Sequence, residues 1–306
     1  MKSQFAILLL LSNTFMVRGV TVTTPNVGPY RSSSIPFGIP SSSSMRYQQV
    51  YSDPQFAEIG PDGVFITRIA FDLAVGPGAR QFSATISNIQ INFSTTTRSS
   101  GDLSTVFAEN VGADDVVVVG PGPLRLSSAG YPGRFDISIP LTTSFFYDPA
   151  AGNLLLDVRN IYSGSSFENH VSDLSGIDLT FDGSSRVSSG TVQSLSGFTD
   201  TFGLRTRFEV TPVPKLTISL QSSNLVFSWS DQQDDFTLQQ SVIIGSGATW
   251  QPTDGTVTTN GPYKEVTLPL DPSASARFFR LMLPTTSAGS AGIQAGAKTF
   301  IPTNKH

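Results

Sequence analysis

The sequence predicts an all-β chain: a jelly-roll-like antiparallel β-sandwich over 45–211, followed by a small immunoglobulin-like β-sandwich over 212–284. Three observations lead there. Phe135, Ile137, Ile139 and Leu141 alternate with Arg134, Asp136 and Ser138, the period-2 mark of a half-buried strand. The 27 glycines and 20 prolines punctuate the chain densely, as short strands linked by turns require. No stretch holds a helical period for more than about two turns, so sheets must cover one another.

In chain order, Lys2 precedes an apolar run from Phe5 to Leu11 that Phe15, Met16 and Val17 continue up to Gly19. That is the order of a secretory signal over 1–19, too short to span a membrane. Residues 20–44 carry Pro25, Pro29, Pro36 and Pro40 and end in four serines, which reads as a disordered leader. Strands are then expected at Arg46–Tyr51 and Phe65–Val75. In the next strand Phe82, Ala84 and Ile86 share one phase and Ile89, Ile91 and Phe93 the other, so a bulge is placed at Ser87-Asn88. Asn92 is then expected to face solvent. Asn92-Phe93-Ser94 has the N-glycosylation pattern, a match that chance often supplies. The run Val116–Val119 suits a strand covered on both sides, and Gly120-Pro121-Gly122-Pro123 is expected to stop it.

Phe135–Ile161 reads as two strands joined by a turn at Tyr147–Asn153, where proline fixes φ and Gly152 and Asn153 tolerate positive φ. Ile177, Leu179 and Phe181, and then Phe202, Leu204, Phe208 and Val210, continue the alternation. Thr211-Pro212-Val213-Pro214 reads as a stiff joint separating two cores. Beyond it Leu225, Phe227 and Trp229, Phe236 and Leu238, Val266 and Leu268, and Phe279 and Leu281 mark short strands of a second sandwich without a disulfide. Residues 285–306, rich in Gly, Ala, Ser and Thr, read as a flexible tail.

Only 14% of residues are charged and the formal net charge is -4. No basic face is evident, so nucleic acid and anionic membrane are not expected partners. There is no cysteine, which removes disulfides, thiolate metal sites and cysteine nucleophiles. The two histidines are His170, in a loop-like stretch without a nucleophile elbow, and His306, so neither a catalytic triad nor a histidine zinc site is expected. None of the five glutamates marks the close carboxylate pair that glycoside hydrolysis needs. Catalytic and organic-cofactor residues are accordingly expected to be absent.

Calcium is the ion the acids would suit, since it takes hard oxygen ligands from loops. Glu109, Asn110, Asp114 and Asp115 form the densest oxygen-rich cluster, with Asp231, Asp234 and Asp235 second; neither has the D-x-D-x-D-G spacing. The plainer reading is solvated turn acids. Trp229 is in phase with Leu225 and Phe227 and reads as core, and Trp250 as core or rim. Tyr47, Tyr51, Tyr131, Tyr147, Tyr162 and Tyr263 are the candidate platforms for sugar stacking.

The stretches RYQQVY at 46–51, ISNIQINFSTT at 86–96, FAENVGADD at 107–115, YDPAAGNLLLDVRN at 147–160, SRV at 185–187 and FGLRTRFEVTPVP at 202–214 carry a resemblance. The first module resembles a family of exported bacterial proteins of cyanobacteria, planctomycetes and verrucomicrobia, many of which end in a PEP-CTERM sorting tail. Here Val213-Pro214 runs instead into Lys215 and a second β module, with no apolar stretch of about 20 residues to span a membrane. LVFSWS at 225–230, FTLQQS at 236–241, TWQP at 249–252 and ARFFRL at 276–281 look like the β domain appended to exported verrucomicrobial proteins. The resemblance implies secretion or display at the bacterial cell surface, and implies no activity. The expectation is an exported, non-catalytic structural or interaction protein, with polysaccharide or cell-surface proteins as partners. A carbohydrate-binding module is the alternative and a hydrolase the third.

Overall fold

The computed structural model describes residues 20–26, 28, 30–38, 44–59, 62–76, 79–161, 174–230, 236–245, 247–271, 276–282 and 294–300. The expected signal at 1–19, Tyr162, Glu168, His170, His306 and the acids Asp231, Asp234 and Asp235 lie outside them. The chain is all-β. Its first part runs β1 (Val20–Thr24), β2 (Arg31–Ser33), β3 (Met45–Tyr51), β4 (Val64–Phe71), β5 (Phe82–Thr96), β6 (Val116–Ser128), β7 (Ile137–Tyr147), β8 (Asn153–Asn160), β9 (Leu174–Asp178), β10 (Ser184–Ser189), β11 (Phe198–Asp200), β12 (Phe202–Leu204) and β13 (Thr206–Pro212). Among the described residues no helix is long and apolar enough to cross a membrane.

Two antiparallel sheets face each other, ordered β1-β13-β4-β7 and β11-β10-β3-β8-β5-β6. The chain crosses between them at β3 to β4, β4 to β5, β6 to β7 and β7 to β8. Two interlocked four-stranded halves wound in this way make a jelly roll; β10 and β11 widen the larger sheet, and β12-β9-β2 form a small third sheet. Val22, Tyr51, Phe56, Ile69, Phe71, Phe93, Phe145, Leu156 and Phe208 meet in the core between the two sheets. Tyr51 stands edge-on to Phe208, with ring centres 5.1 Å apart.

Several expectations are corrected here. The leader is not a disordered segment where it is described: β1 pairs with β13 from Val20↔Val210 to Thr24↔Thr206, β2 pairs with β9, and Phe37 is in the core. The pair β7–β8 is not a hairpin. Its turn, whose start Asp148 caps by accepting from the Ala150 amide at 2.9 Å, carries the chain from one sheet to the other. β6 is an outer strand of its sheet with Val117 exposed, so the valine run is not covered on both sides. Nor does the Gly-Pro repeat stop it. Gly120, at φ +76°, passes so close to Ile89 that a Cβ would fall 2.1 Å from its carbonyl oxygen, and pairing resumes on to Ser128. The break at Ser87-Asn88 is where the alternation puts it, since the β5–β6 register shifts between Ile86 and Ile89. Val75 and Phe181, read as core-facing, are exposed, because β4 ends at Phe71 and β9 at Asp178.

The second part runs β14 (Thr217–Gln221), β15 (Asn224–Ser230), β16 (Thr237–Ser241), β17 (Gln251–Pro252), β18 (Val257–Asn260), β19 (Tyr263–Pro269), β20 (Arg277–Met282) and β21 (Gln294–Phe300). Sheets β14-β15-β19-β18 and β17-β16-β20-β21 have the strand order of an immunoglobulin-like sandwich. Phe227 and Phe279 close the space between them, ring centres 4.4 Å apart, beside the buried Trp229. β21 corrects the expected tail: 294–300 pairs antiparallel with β20, so the module extends past 284. The joint also links the cores rather than separating them. Phe65 of β4 belongs to the second core, with its ring 5.7 Å from Phe236 and 5.5 Å from Phe146, and Val213 packs beside them.

Candidate functional site

The densest polar grouping lies on the outer face of the larger sheet. Gln48 of β3, Asp157 of β8 and Asn92 of β5 are cross-strand neighbours, and all three are buried. The sheet alone cannot bury them. The connection 97–115 between β5 and β6 folds back over this face, and the polar row holds it there. Asp157 accepts from Arg46 Nη2 at 2.8 Å and from Gln48 Nε2 at 3.0 Å, and Arg159 Nη2 lies 3.6 Å away. Gln48 Nε2 also donates to the Phe107 carbonyl at 3.1 Å, and its Oε1 accepts from Asn110 Nδ2 at 3.0 Å. Asn92 Nδ2 donates to both Asp115 oxygens at 3.1 and 2.9 Å. The Arg46 guanidinium lies 4.7 Å over the buried Phe107 ring. Gly112 comes so near the sheet that a Cβ would fall 1.8 Å from the Thr95 carbonyl oxygen, so only glycine fits.

The four residues read as a calcium cluster are brought to this connection but do not converge. Glu109 accepts from Ser104 Oγ at 2.7 Å, with Arg98 Nη2 at 3.4 Å. Asn110 is fully buried; its Oδ1 accepts from the Ser104 amide at 2.8 Å and its Nδ2 donates to the Ser104 carbonyl at 2.9 Å. Asp114 accepts from the Thr95 amide at 2.7 Å, and Asp115 is held by Asn92. Each oxygen pins a different point of the connection, and among the described residues no three His, Cys, Asp or Glu side chains come together. Adjacency in sequence did not become a ligand shell, because the segment passes through a 3-10 turn at Phe107–Glu109 and then a second turn before Asp115, and each side chain is taken up by a separate partner.

A second polar knot lies toward β10 and β12. Gln49 Nε2 donates to the Leu204 carbonyl at 2.9 Å, and its Oε1 accepts from the Leu204 amide at 2.8 Å, so the side chain imitates a paired strand. The Tyr47 hydroxyl also donates to Gln49 Oε1. Arg186 grips Asp200 through Nε at 2.8 Å and Nη2 at 3.0 Å, its guanidinium 4.5 Å over Phe202. Burial drives the Tyr47 and Tyr51 hydroxyls well above the usual phenol range, which keeps both neutral.

Tyr47, Tyr51 and Tyr147 are buried and offer no platform; Tyr131 and Tyr263 are exposed. Trp229 is core as expected, and Trp250 is half-buried under Arg280, whose guanidinium lies 4.4 Å from its ring. Sequence reasoning missed Gln48, Gln49 and Asp157, and it placed Asn92 in solvent, which the structure corrects: Asn92 is buried where the connection crosses β5 and Asp115 takes up its amide. The one visible sign of these four is a polar residue inside an otherwise apolar strand, as in Gln48-Gln49 before Val50 and Asp157 between Leu156 and Val158. Compared with known proteins, the chain matches no family model, and no curated protein or solved structure is significantly similar to it.

Proposed function

We propose that the chain is an exported, non-catalytic structural or interaction protein of the bacterial cell surface or extracellular matrix. The observation that carries this is the state of the polar row: Arg46, Gln48, Asn92, Asn110, Asp115 and Asp157 are bonded to one another or to the connection they hold down. A reacting group needs a free lone pair or proton aimed at a substrate, and these are engaged in fastening. Packing of Phe65 from the first sandwich into the second core, which couples the two, also suits a protein that presents surfaces. Fractionating the producing cells tests export. The expected product is found outside the cytoplasm with a first residue near Val20; a cytoplasmic product retaining Met1–Gly19 overturns it. Incubation with a panel of glycosides and esters tests the non-catalytic part, the expected result being no turnover.

A second reading, carbohydrate binding, has one observation in its favour: exposed Tyr30 and Tyr131 stand among arginines on the smaller sheet's side of the molecule.

A further inference from the structure

That arginine-rich face develops the second reading. The Arg205 guanidinium lies 4.6 Å from the Tyr30 ring centre and 4.7 Å from that of Phe135, and the Arg207 guanidinium lies 4.0 Å over the same Phe135 ring. One residue before Phe135, Arg134 lies 4.7 Å over Tyr131. Three segments far apart in sequence thus place cations and rings in alternation. Phe135 is only 8% exposed beneath them, while Tyr30 and Tyr131 are 39% and 57% exposed at the margin.

Both oxygens of Asp136 and one of Asp72 are already bonded. Asp72 accepts from Arg205 Nη1 at 2.8 Å, and Asp136 accepts from the Ser128 hydroxyl and the Ala129 amide, each at 2.8 Å. On the same sheet face Arg68 is paired with Glu209 at 2.9 Å. Arg207 differs. Among the described residues its guanidinium meets no hydrogen-bond acceptor, and its Nε is buried without a partner, as are Arg205 Nε and Asp72 Oδ1. Stacking therefore holds a half-buried cation flat, and the outer Nη fork meets no acceptor among the described residues. An oxyanion fits that fork through charge-assisted, two-point hydrogen bonds. A sugar ring suits the exposed tyrosines, whose apolar faces pack against C–H groups while their hydroxyls stay wet.

We propose that this face binds an acidic polysaccharide, with a carboxylate or sulfate group of the polymer seated on Arg207 and an adjoining sugar ring against Tyr30. The proposal rests on the carbohydrate-binding reading, and its test separates the two. The full chain is run in gels containing polygalacturonate, dextran sulfate, neutral dextran or poly-glutamate. Retardation by polygalacturonate or dextran sulfate, but not by dextran, is the expected result, and the stronger of the two names the anion. Arg207→Gln should weaken it about tenfold, and Arg68→Gln, in the pair with Glu209, should leave it unchanged. Equal loss in both variants, no loss in Arg207→Gln, or equal retardation by poly-glutamate overturns the site. Retardation by dextran alone overturns the site while leaving carbohydrate binding standing, and no retardation in any gel removes both. If Arg207→Gln does not fold by circular dichroism, Tyr30→Ala, at an exposed ring, serves instead and should weaken retardation severalfold.

Discussion

The two sandwiches are held by different means. The first buries Gln48, Gln49, Asp72, Asn92, Asn110, Asp157 and Asn160 among its apolar side chains, whereas in the second, among the described residues, the only buried polar side chain is Ser241. In the second, Leu225, Phe227 and Trp229 of β15 stand beside Val266 and Leu268 of β19 and pack with them against Phe279 and Leu281 of the other sheet, and alternation alone fixes the register. In the first, a slipped strand would also strand a buried amide or carboxylate, at about 1–3 kcal/mol each. Polar pairing there adds a second condition on which strands may meet. A sandwich that must also hold a long connection on its outer face needs that condition; a plain two-sheet module does not.

Both tryptophans, Trp229 and Trp250, lie in the second sandwich, so fluorescence follows that module while far-UV circular dichroism follows both. The largest expected effect is from emptying either core. Phe208→Ala should cost the first sandwich about 3–5 kcal/mol, and Val266→Ala the second about 2–4 kcal/mol, read as shifts of the denaturant midpoint by dichroism and fluorescence respectively. Next is Phe65→Ala, which removes the ring shared across the joint. It should lower stability by about 3 kcal/mol and separate the fluorescence transition from the dichroism transition. Coincident transitions in that variant would mean that the modules are coupled elsewhere.

A smaller effect, about 1–3 kcal/mol, is expected from Asn110→Ala, which leaves Gln48 without its donor. Faster amide exchange over 104–115 with unchanged fluorescence would place the loss in the first sandwich alone. The smallest is the response to pH. Burial pushes the Asp72 and Asp182 carboxyls above their usual range, against opposing hydrogen bonds. A carboxyl raised on folding contributes most when protonated, and that contribution is lost as pH rises through its folded value. Stability by dichroism should therefore rise slightly as pH falls from 7 toward the ordinary carboxylate range. Asp72→Asn and Asp182→Asn should flatten the slope, and the fluorescence transition should not follow it.

What could be read from the sequence divides along the same line. The second core was legible because Leu225, Phe227 and Trp229 alternate cleanly, and the bulge of β5 was legible because the phase changes between Ile86 and Ile89. The terminal strands were not. β1 is VTVTT among prolines and β21 is QAGAKTF among small residues; each completes a sheet by backbone pairing with a strand the local sequence does not reveal. The polar row was hidden for the same reason. Gln48 and Asp157 are 109 residues apart in sequence, so neither residue's own neighbours explain why it should be inside. The acids of 109–115 misled in the opposite sense, being close along the chain and directed to separate partners.

The pairing of β1 with β13 also sets a timetable. Val20 emerges among the first folded residues, yet its partner Val210 arrives roughly 190 residues later, some ten seconds or more at ordinary rates of synthesis. Until then the jelly roll has an open seam, and early hydrophobic strands must wait without their final neighbours. With its closing strand at 206–212, the jelly roll can be completed only in roughly the last third of the chain's synthesis, after most of its core residues have already been made.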